Sequence, residues 1–259
     1  MRWIILFFLI ASILLGLVIY LDKSPDKPNM PHSHPTTTNE DNQSIQDRID
    51  AVPPISFNPN SFQAFHTGVD LSDLDAMQRR ISEIELRLIE IGHTREAVPF
   101  YGELTLLYMQ LGREDGAAEA ARHTAMILDD ADDWWNSAVL FYRWALKQSE
   151  RDAFFYFLGR SEASFEEASK RSENPEMLTD YSIVLQANGN TEEALTQLQR
   201  AMEVEQTNFR PFLYYGLILY ETDKKDESIL YIHKSMEKAI NEDELSLIRN
   251  VLAQSSIEI

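Results

Sequence analysis

The sequence predicts an all-α protein built from helix pairs that repeat along the chain. Residues 175–208 and 209–242 match in residue class when one is laid under the other with a shift of 34 positions. Leu178 then falls on Phe212, and Tyr181 on Tyr215. A period of this length is that of two helices joined by short turns. The match therefore predicts that the two segments fold alike, as neighbouring members of an array.

Small residues at fixed positions indicate where the two helices of a pair approach closely. They are Ser182, Ala194 and Ala201 in one segment, and Gly216, Ser228 and Ser235 in the next. Gly189 follows the first helix, where a left-handed backbone conformation ends a helix at least cost. The large residues at the other matched positions are predicted to fill the space between pairs.

Two earlier units complete the predicted array. Residues 98–131 carry the same pattern, whereas the unit 132–174 is 43 residues long and fits the pattern only in its first helix. We expect its second half to form either a lengthened helix or a helix broken near Gly159.

These units resemble tetratricopeptide repeats (TPRs) at their signature positions. The resemblance implies a right-handed superhelix of helix pairs, with an inner wall built from the first helix of each pair. Three positions depart from the usual pattern: Asp223 replaces the turn glycine, and Gln206 and Ile240 stand where proline usually ends a unit.

Two helices are predicted to flank the units within a domain that spans residues 72–259. The terminal helix, 241–255, would cover the last pair, because a repeat array cannot bury its own end. The leading helix, 72–92, carries a heptad-like apolar seam, which predicts either packing on the first unit or a dimeric coiled coil. Leu86 and Ile89 widen that apolar face and favour packing.

The N-terminus carries an apolar segment at residues 3–21 that contains no charged residue. Its length is close to what a bilayer core requires. Trp3 and Tyr20 stand at its two ends, where amphipathic rings favour the membrane interface. Because no small-x-small cleavage site follows, we predict an uncleaved transmembrane anchor at residues 1–21 rather than a cleaved signal peptide.

A proline-rich flexible linker is predicted at residues 22–71, since proline and polar residues interrupt any regular element there. The prolines are Pro25, Pro28, Pro31, Pro35, Pro53, Pro54 and Pro59. Basic residues on the two flanks of the span, Arg2 against Lys23 and Lys27, are nearly balanced. The short N-terminal tail favours a signal anchor with the C-terminal domain outside. We therefore predict a single-pass protein of the bacterial cytoplasmic membrane whose repeat domain is periplasmic.

The layout of anchor, linker, leading helix and repeats also resembles the membrane-anchored repeat factors of bacterial cytochrome c maturation. In that family the repeats hold the unfolded apocytochrome for haem attachment. The resemblance rests on layout rather than on a diagnostic motif.

A polypeptide is the ligand class that best fits the predicted inner wall, which is apolar and aromatic with a few amides and charges. The predicted contacts are Met109, Gln110, Arg143, Trp144, Gln186, Arg210, Leu213, Tyr220 and Glu221. The lysine and asparagine pattern that clamps a C-terminal carboxylate in some repeat families is absent. Part of the wall could instead be covered by the leading or the terminal helix.

Composition excludes several other functions. A net charge of −19 disfavours nucleic acid, because such a surface repels phosphate backbones. The absence of cysteine excludes thiolate catalysis and zinc–thiolate sites. No phosphate-binding loop, nucleophile elbow or metalloprotease motif is present, so we predict neither enzymatic activity nor a cofactor.

The sequence thus predicts a membrane-anchored scaffold that binds a client polypeptide or an assembly partner. The alternative is a structural subunit of an envelope complex, forming a homodimer through the helix at 72–92.

Overall fold

The computed structural model describes residues 72–255 together with Asp70 and Ile257. This part of the chain forms ten α-helices and contains no strand. The helices are α1 (Leu74–Ile91), α2 (Val98–Gln110), α3 (Glu114–Leu128), α4 (Ala131–Ala145), α5 (Arg151–Ser169), α6 (Pro175–Ala187), α7 (Thr191–Val204), α8 (Phe209–Glu221), α9 (Lys225–Lys238) and α10 (Glu242–Gln254).

The predicted membrane anchor lies outside the described residues, as does all of the predicted linker except Asp70. Among the helices that are described, none combines the length and the apolar character needed to cross a bilayer.

The helices pack mainly against their neighbours in sequence. The extensive contacts lie within the pairs α2–α3, α4–α5, α6–α7 and α8–α9, and between the second helix of one pair and the first helix of the next. In addition, α6 contacts α8, so that the first helices of the last two pairs touch directly. Packing of this kind is local along the chain and builds a linear array rather than one central core.

The small residues predicted to mark close helix approach do so in the last pair. A Cβ atom built on Gly216 of α8 would lie only 2.8 Å from Cγ1 of Ile232 and 3.1 Å from the carbonyl oxygen of Ser228, both on α9. The Ser228 hydroxyl donates a hydrogen bond of 2.7 Å to the Gly216 carbonyl. A larger residue at position 216 would therefore push the two helices apart.

Three of the four units turn between their helices through one left-handed residue. Gly112, Gly189 and Asp223 have φ of 68°, 88° and 63°. In each turn the next residue donates its amide to a carbonyl five positions earlier, at 2.8–3.0 Å. Asp223 thus adopts the glycine conformation, although a side chain in this region costs about 1–2 kcal/mol. Aspartate is among the few residues that tolerate it.

The extra residues of the second unit lie in two places. Five residues, 146–150, connect α4 to α5 without a left-handed turn, and Leu146 has φ of −61°. Helix α5 then runs for 19 residues through Gly159 without a break. Of the two forms considered for this segment, the structure shows the lengthened helix.

The leading helix packs on the first unit. Met77, Ile81 and Ile84 are buried in a cluster with residues of α2. Arg80 on α1 donates two hydrogen bonds of 2.8 Å to the carboxylate of Glu103 on α2. The heptad-like seam is therefore occupied within the chain, which supports packing rather than a coiled-coil dimer.

Two apolar residues of that helix lie elsewhere than expected. Leu86 and Ile89 are 66% and 79% exposed, so they do not widen the packed face. Helix α1 packs mainly against α2, and one main neighbour covers only a narrow stripe of its surface.

The largest apolar cluster joins the last three units to α10. Ile248, Val251 and Leu252 of that terminal helix are buried in it. Helix α10 thereby covers one end of the array, as a solenoid requires.

Candidate functional site

The last turns of the four first helices hold seven of the nine residues predicted to contact a partner. These seven are named the terminal row: Met109 and Gln110 of α2, Arg143 and Trp144 of α4, Gln186 of α6, and Tyr220 and Glu221 of α8. Equivalent positions of successive units repeat along the array, so the terminal row corresponds to one edge of the predicted inner wall.

The part of the row on α2 and α4 is apolar and partly open to solvent. Trp144 is half-buried and meets the edge of the Phe157 ring of α5, with centroids 6.2 Å apart. Met109 and Phe157 both pack against a cluster that contains Leu140. Gln110 is exposed beside them. This surface combines a rigid aromatic anchor with an accessible amide.

Arg143 is already held by a carboxylate of its own chain. Its guanidinium donates a hydrogen bond of 2.6 Å to Oε1 of Glu114 on α3, and Lys147 lies 3.1 Å from Oε2 of the same carboxylate. Because the Arg143 side chain remains 41% exposed, it can contact a partner while keeping this ion pair.

The row ends in a polar pair that joins α6 to α8. The amide Nε2 of Gln186 donates a hydrogen bond of 2.6 Å to Oε2 of Glu221. The remaining oxygens, Oε1 of Gln186 and Oε1 of Glu221, are both inaccessible to solvent and have no hydrogen-bond partner among the described residues. Burial raises the pKa of Glu221 to about 8, and the hydrogen bond from Gln186 opposes that rise.

Tyr220, which is next to Glu221 in the sequence, makes a cation–π contact. The ammonium of Lys225, in the first turn of α9, stands 5.6 Å from the centroid of the Tyr220 ring. Tyr220 is half-buried, so part of the residue remains open to solvent.

The two remaining predicted residues lie inside the array. Arg210 is 9% exposed, and its guanidinium pairs with Glu176 and, at 2.8 Å, with Oδ1 of Asp180. Leu213 is fully buried in the main cluster. Offsets within a repeat place both on the inner wall, but the direct contact of α6 with α8 encloses them.

A buried polar network runs through this enclosed region, and sequence reasoning missed it. Asp180 is fully buried on α6 and accepts hydrogen bonds from Arg210 and, at 3.2 Å, from Nε1 of Trp135 on α4. It is the single charged residue in the apolar run that follows Glu176. A lone carboxylate in such a run signals a buried partner, because an unpaired buried charge is very costly.

Asn136 on α4 adds one more unmet polar atom. It is 2% exposed, and its Nδ2 has no hydrogen-bond partner among the described residues.

Among the residues that the structure describes, no group of three or more His, Asp or Glu side chains could hold a metal ion.

Comparison with known proteins shows the fold. No protein-family model matches the chain, and no curated protein matches it. Among solved structures, YrrB, described as a TPR protein with an unusual peptide-binding site, is 13% identical with a TM-score of 0.53. The match covers 83% of this chain and 95% of YrrB. TTC0263, a TPR protein of Thermus thermophilus, is 14% identical with a TM-score of 0.50, and the match covers 70% of this chain and 92% of TTC0263.

At these identities the likeness concerns architecture alone. It agrees with the 34-residue period of the sequence and with the paired helices of the structure. The described part of this chain has the tetratricopeptide-repeat fold.

Proposed function

We propose that this chain is a scaffold that binds a polypeptide along the terminal row, without catalysing a reaction. The observation that carries the proposal is the row itself. Half-buried aromatic and apolar side chains, Met109, Trp144 and Tyr220, recur at the ends of consecutive first helices, interspersed with amides. Rigid aromatic anchors with polar neighbours are typical of peptide-binding surfaces. The peptide-binding site ascribed to YrrB gives support by analogy of fold.

The proposal extends to the predicted location. Residues 3–21 would anchor the scaffold in a bacterial cytoplasmic membrane, with the array on the periplasmic side. Support comes from the uncharged apolar run and its aromatic ends. Resistance to alkaline carbonate extraction would test the anchor, and protease added to spheroplasts would test the side. Release by carbonate, or protection of the whole array from protease, would contradict this location.

A first named client follows from the layout. Since anchored repeat factors of cytochrome c maturation hold unfolded apocytochrome, an apocytochrome c is the first candidate to assay. Failure of the purified chain to bind it would remove that client and leave polypeptide binding in general to be tested as follows.

Selection from a display library of random 12-residue peptides tests the binding surface. The full chain is immobilised, and the selected peptides are measured against Trp144→Ala, Tyr220→Ala and a control, Leu230→Ala. Leu230 is 52% exposed on α9, a second helix, which the fold places on the outer side.

We expect the two row variants to weaken binding about tenfold or more, since truncating an aromatic anchor removes about 2 kcal/mol or more. The control should bind like wild type. An absence of selected peptides, or equal affinity for all four proteins, would refute the proposed function.

A further inference from the structure

The pair at the end of the terminal row has more acceptor atoms than the described residues supply donors for. Gln186 and Glu221 share one hydrogen bond of 2.6 Å, and each keeps an Oε1 atom that is buried and unpartnered. Gln186 is 2% exposed as a residue, so this amide is built into the wall and does not belong to a mobile surface side chain. Leaving a buried acceptor unpaired costs about 1–3 kcal/mol, so two such atoms in one place require an explanation.

Neighbouring cations of the chain do not serve these oxygens. Lys225 lies over the Tyr220 ring rather than on Glu221. Arg210, at the opposite end of α8, is engaged by Asp180 and Glu176. Among the described residues, no lysine or arginine forms an ion pair with Glu221, and its pKa is raised by burial and lowered by the hydrogen bond from Gln186. Among the described residues, the one donor that remains is the proton of a neutral Glu221 carboxyl; any other donor must come from outside the described part of the chain.

We propose that Gln186 and Glu221 form a subsite for a basic side chain of the bound polypeptide. An ammonium or guanidinium group carries several N–H donors and can donate to more than one acceptor at once. Hydrogen bonds between charged partners are about twice as strong as neutral ones. The chain as a whole carries a net charge of −19, which attracts a basic partner. This inference rests on the proposed function and specifies one position of the peptide.

Binding of a cation would change the protonation of the subsite. With a pKa of about 8, the Glu221 carboxyl is mostly neutral at pH 7 in the free protein. A neighbouring positive charge favours the ionised form, so the carboxyl would release about one proton when the peptide binds. The affinity for a basic peptide should then fall by about tenfold for each pH unit below 8 until the carboxyl of the complex itself takes up a proton.

The display selection gives the decisive test when it is repeated on Glu221→Gln and on Glu237→Gln. Both changes replace a carboxyl by an amide of the same shape, but Glu237 is an exposed residue of α9. The best selected peptide is then resynthesised with norleucine in place of its lysine or arginine. Binding is measured by calorimetry in buffers of different ionisation enthalpy, which counts the protons released. Gln186→Met, which keeps the shape of the side chain without its acceptor, provides a second variant.

We expect wild type and Glu237→Gln to select peptides with lysine or arginine at one fixed position. Glu221→Gln should lose that preference, and both norleucine and Gln186→Met should weaken binding by about tenfold, with proton release abolished in the norleucine complex. Selection of peptides without a fixed basic residue, or with one that survives Glu221→Gln, would overturn this inference and leave the proposed function standing. A library that yields no binder would refute the proposed function itself.

The same calorimetry tests one competing arrangement of the two side chains. The neutral carboxyl of Glu221 could donate its own proton to Oε1 of Gln186 and satisfy both atoms internally. Binding of the selected peptides without any proton release at pH 7 would favour that arrangement and overturn the subsite.

Discussion

Replacing Arg210 by methionine should destabilise the array strongly. In the wild type, Arg210 pairs with Asp180, which is fully buried, and with Glu176. Methionine fills a similar volume but removes the charge. Asp180 would then keep the hydrogen bond from Trp135 without its neutralising cation.

The expected cost follows from the burial of the carboxylate. Removing one partner of a buried ion pair costs about 3–5 kcal/mol, because the other charge is left uncompensated in a low dielectric. For a chain of this size, about 2–4 °C of melting temperature corresponds to each kcal/mol. We therefore expect Arg210→Met to lower the melting temperature by about 6–20 °C. Substituting both residues, as in Asp180→Leu with Arg210→Met, should cost less than Arg210→Met alone, because no charge then remains buried.

Urea-induced unfolding of the full chain, followed by circular dichroism, measures these differences. Arg87→Met is the matched control, since Arg87 is 55% exposed and pairs with Glu90 on the surface of α1. That exposed pair should contribute at most about 0.5 kcal/mol. A loss below about 1 kcal/mol for Arg210→Met, or a double variant as unstable as the sum of its single changes, would show that the buried charge of Asp180 does not depend on Arg210.

Three further changes have defined outcomes. Because the pKa of Glu221 is raised from 4.5 to about 8 by folding, the folded state holds a proton that the unfolded state releases between these values. Stability should therefore fall by about 2–4 kcal/mol as pH rises from 4.5 to 8, and Glu221→Gln should remove this slope in urea titrations at several pH values. Asp223→Gly should raise the unfolding free energy by up to about 1 kcal/mol, because the left-handed turn suits glycine; a loss would show that the aspartate side chain stabilises the turn. Gly216→Ala should lower the unfolding free energy by about 1–3 kcal/mol, because the added methyl group clashes with Ile232. An unchanged melting curve would mean that α8 and α9 separate easily.

The repeating part of the fold could be predicted because a residue class recurs wherever the geometry recurs. Ser228 and Gly216 were predicted as close-approach positions from the 34-residue match alone, and they touch in the structure. The turn at Asp223 follows the same rule. The array imposes the left-handed conformation there although the residue is not glycine.

The non-repeating features could not be predicted in the same way. Trp135 and Asp180 are separated by 45 residues, and no period of the sequence pairs them. Leu86 and Ile89 follow the apolar pattern of a packed helix, yet they face solvent because α2 covers only one stripe of α1.

The sequence predicted where the residues of the candidate site lie, but not which atoms surround them. Repeat offsets located the terminal row, but they gave no sign that Gln186 and Glu221 would share a hydrogen bond and leave two oxygens unpaired. They also placed Arg210 on an exposed wall, although the approach of α6 to α8 buries it. Burial depends on the distance between helices, which the period of a repeat does not specify.

Photo-cross-linking tests most directly whether this array binds a polypeptide on its inner wall. A photoreactive phenylalanine analogue is placed at Gln110, which is exposed at the end of α2, or at Leu230, which is exposed on α9. Each full-length variant is irradiated with a peptide selected on the wild-type chain. We expect a covalent adduct at position 110 and none at position 230; an adduct at position 230 alone would contradict binding on the inner wall.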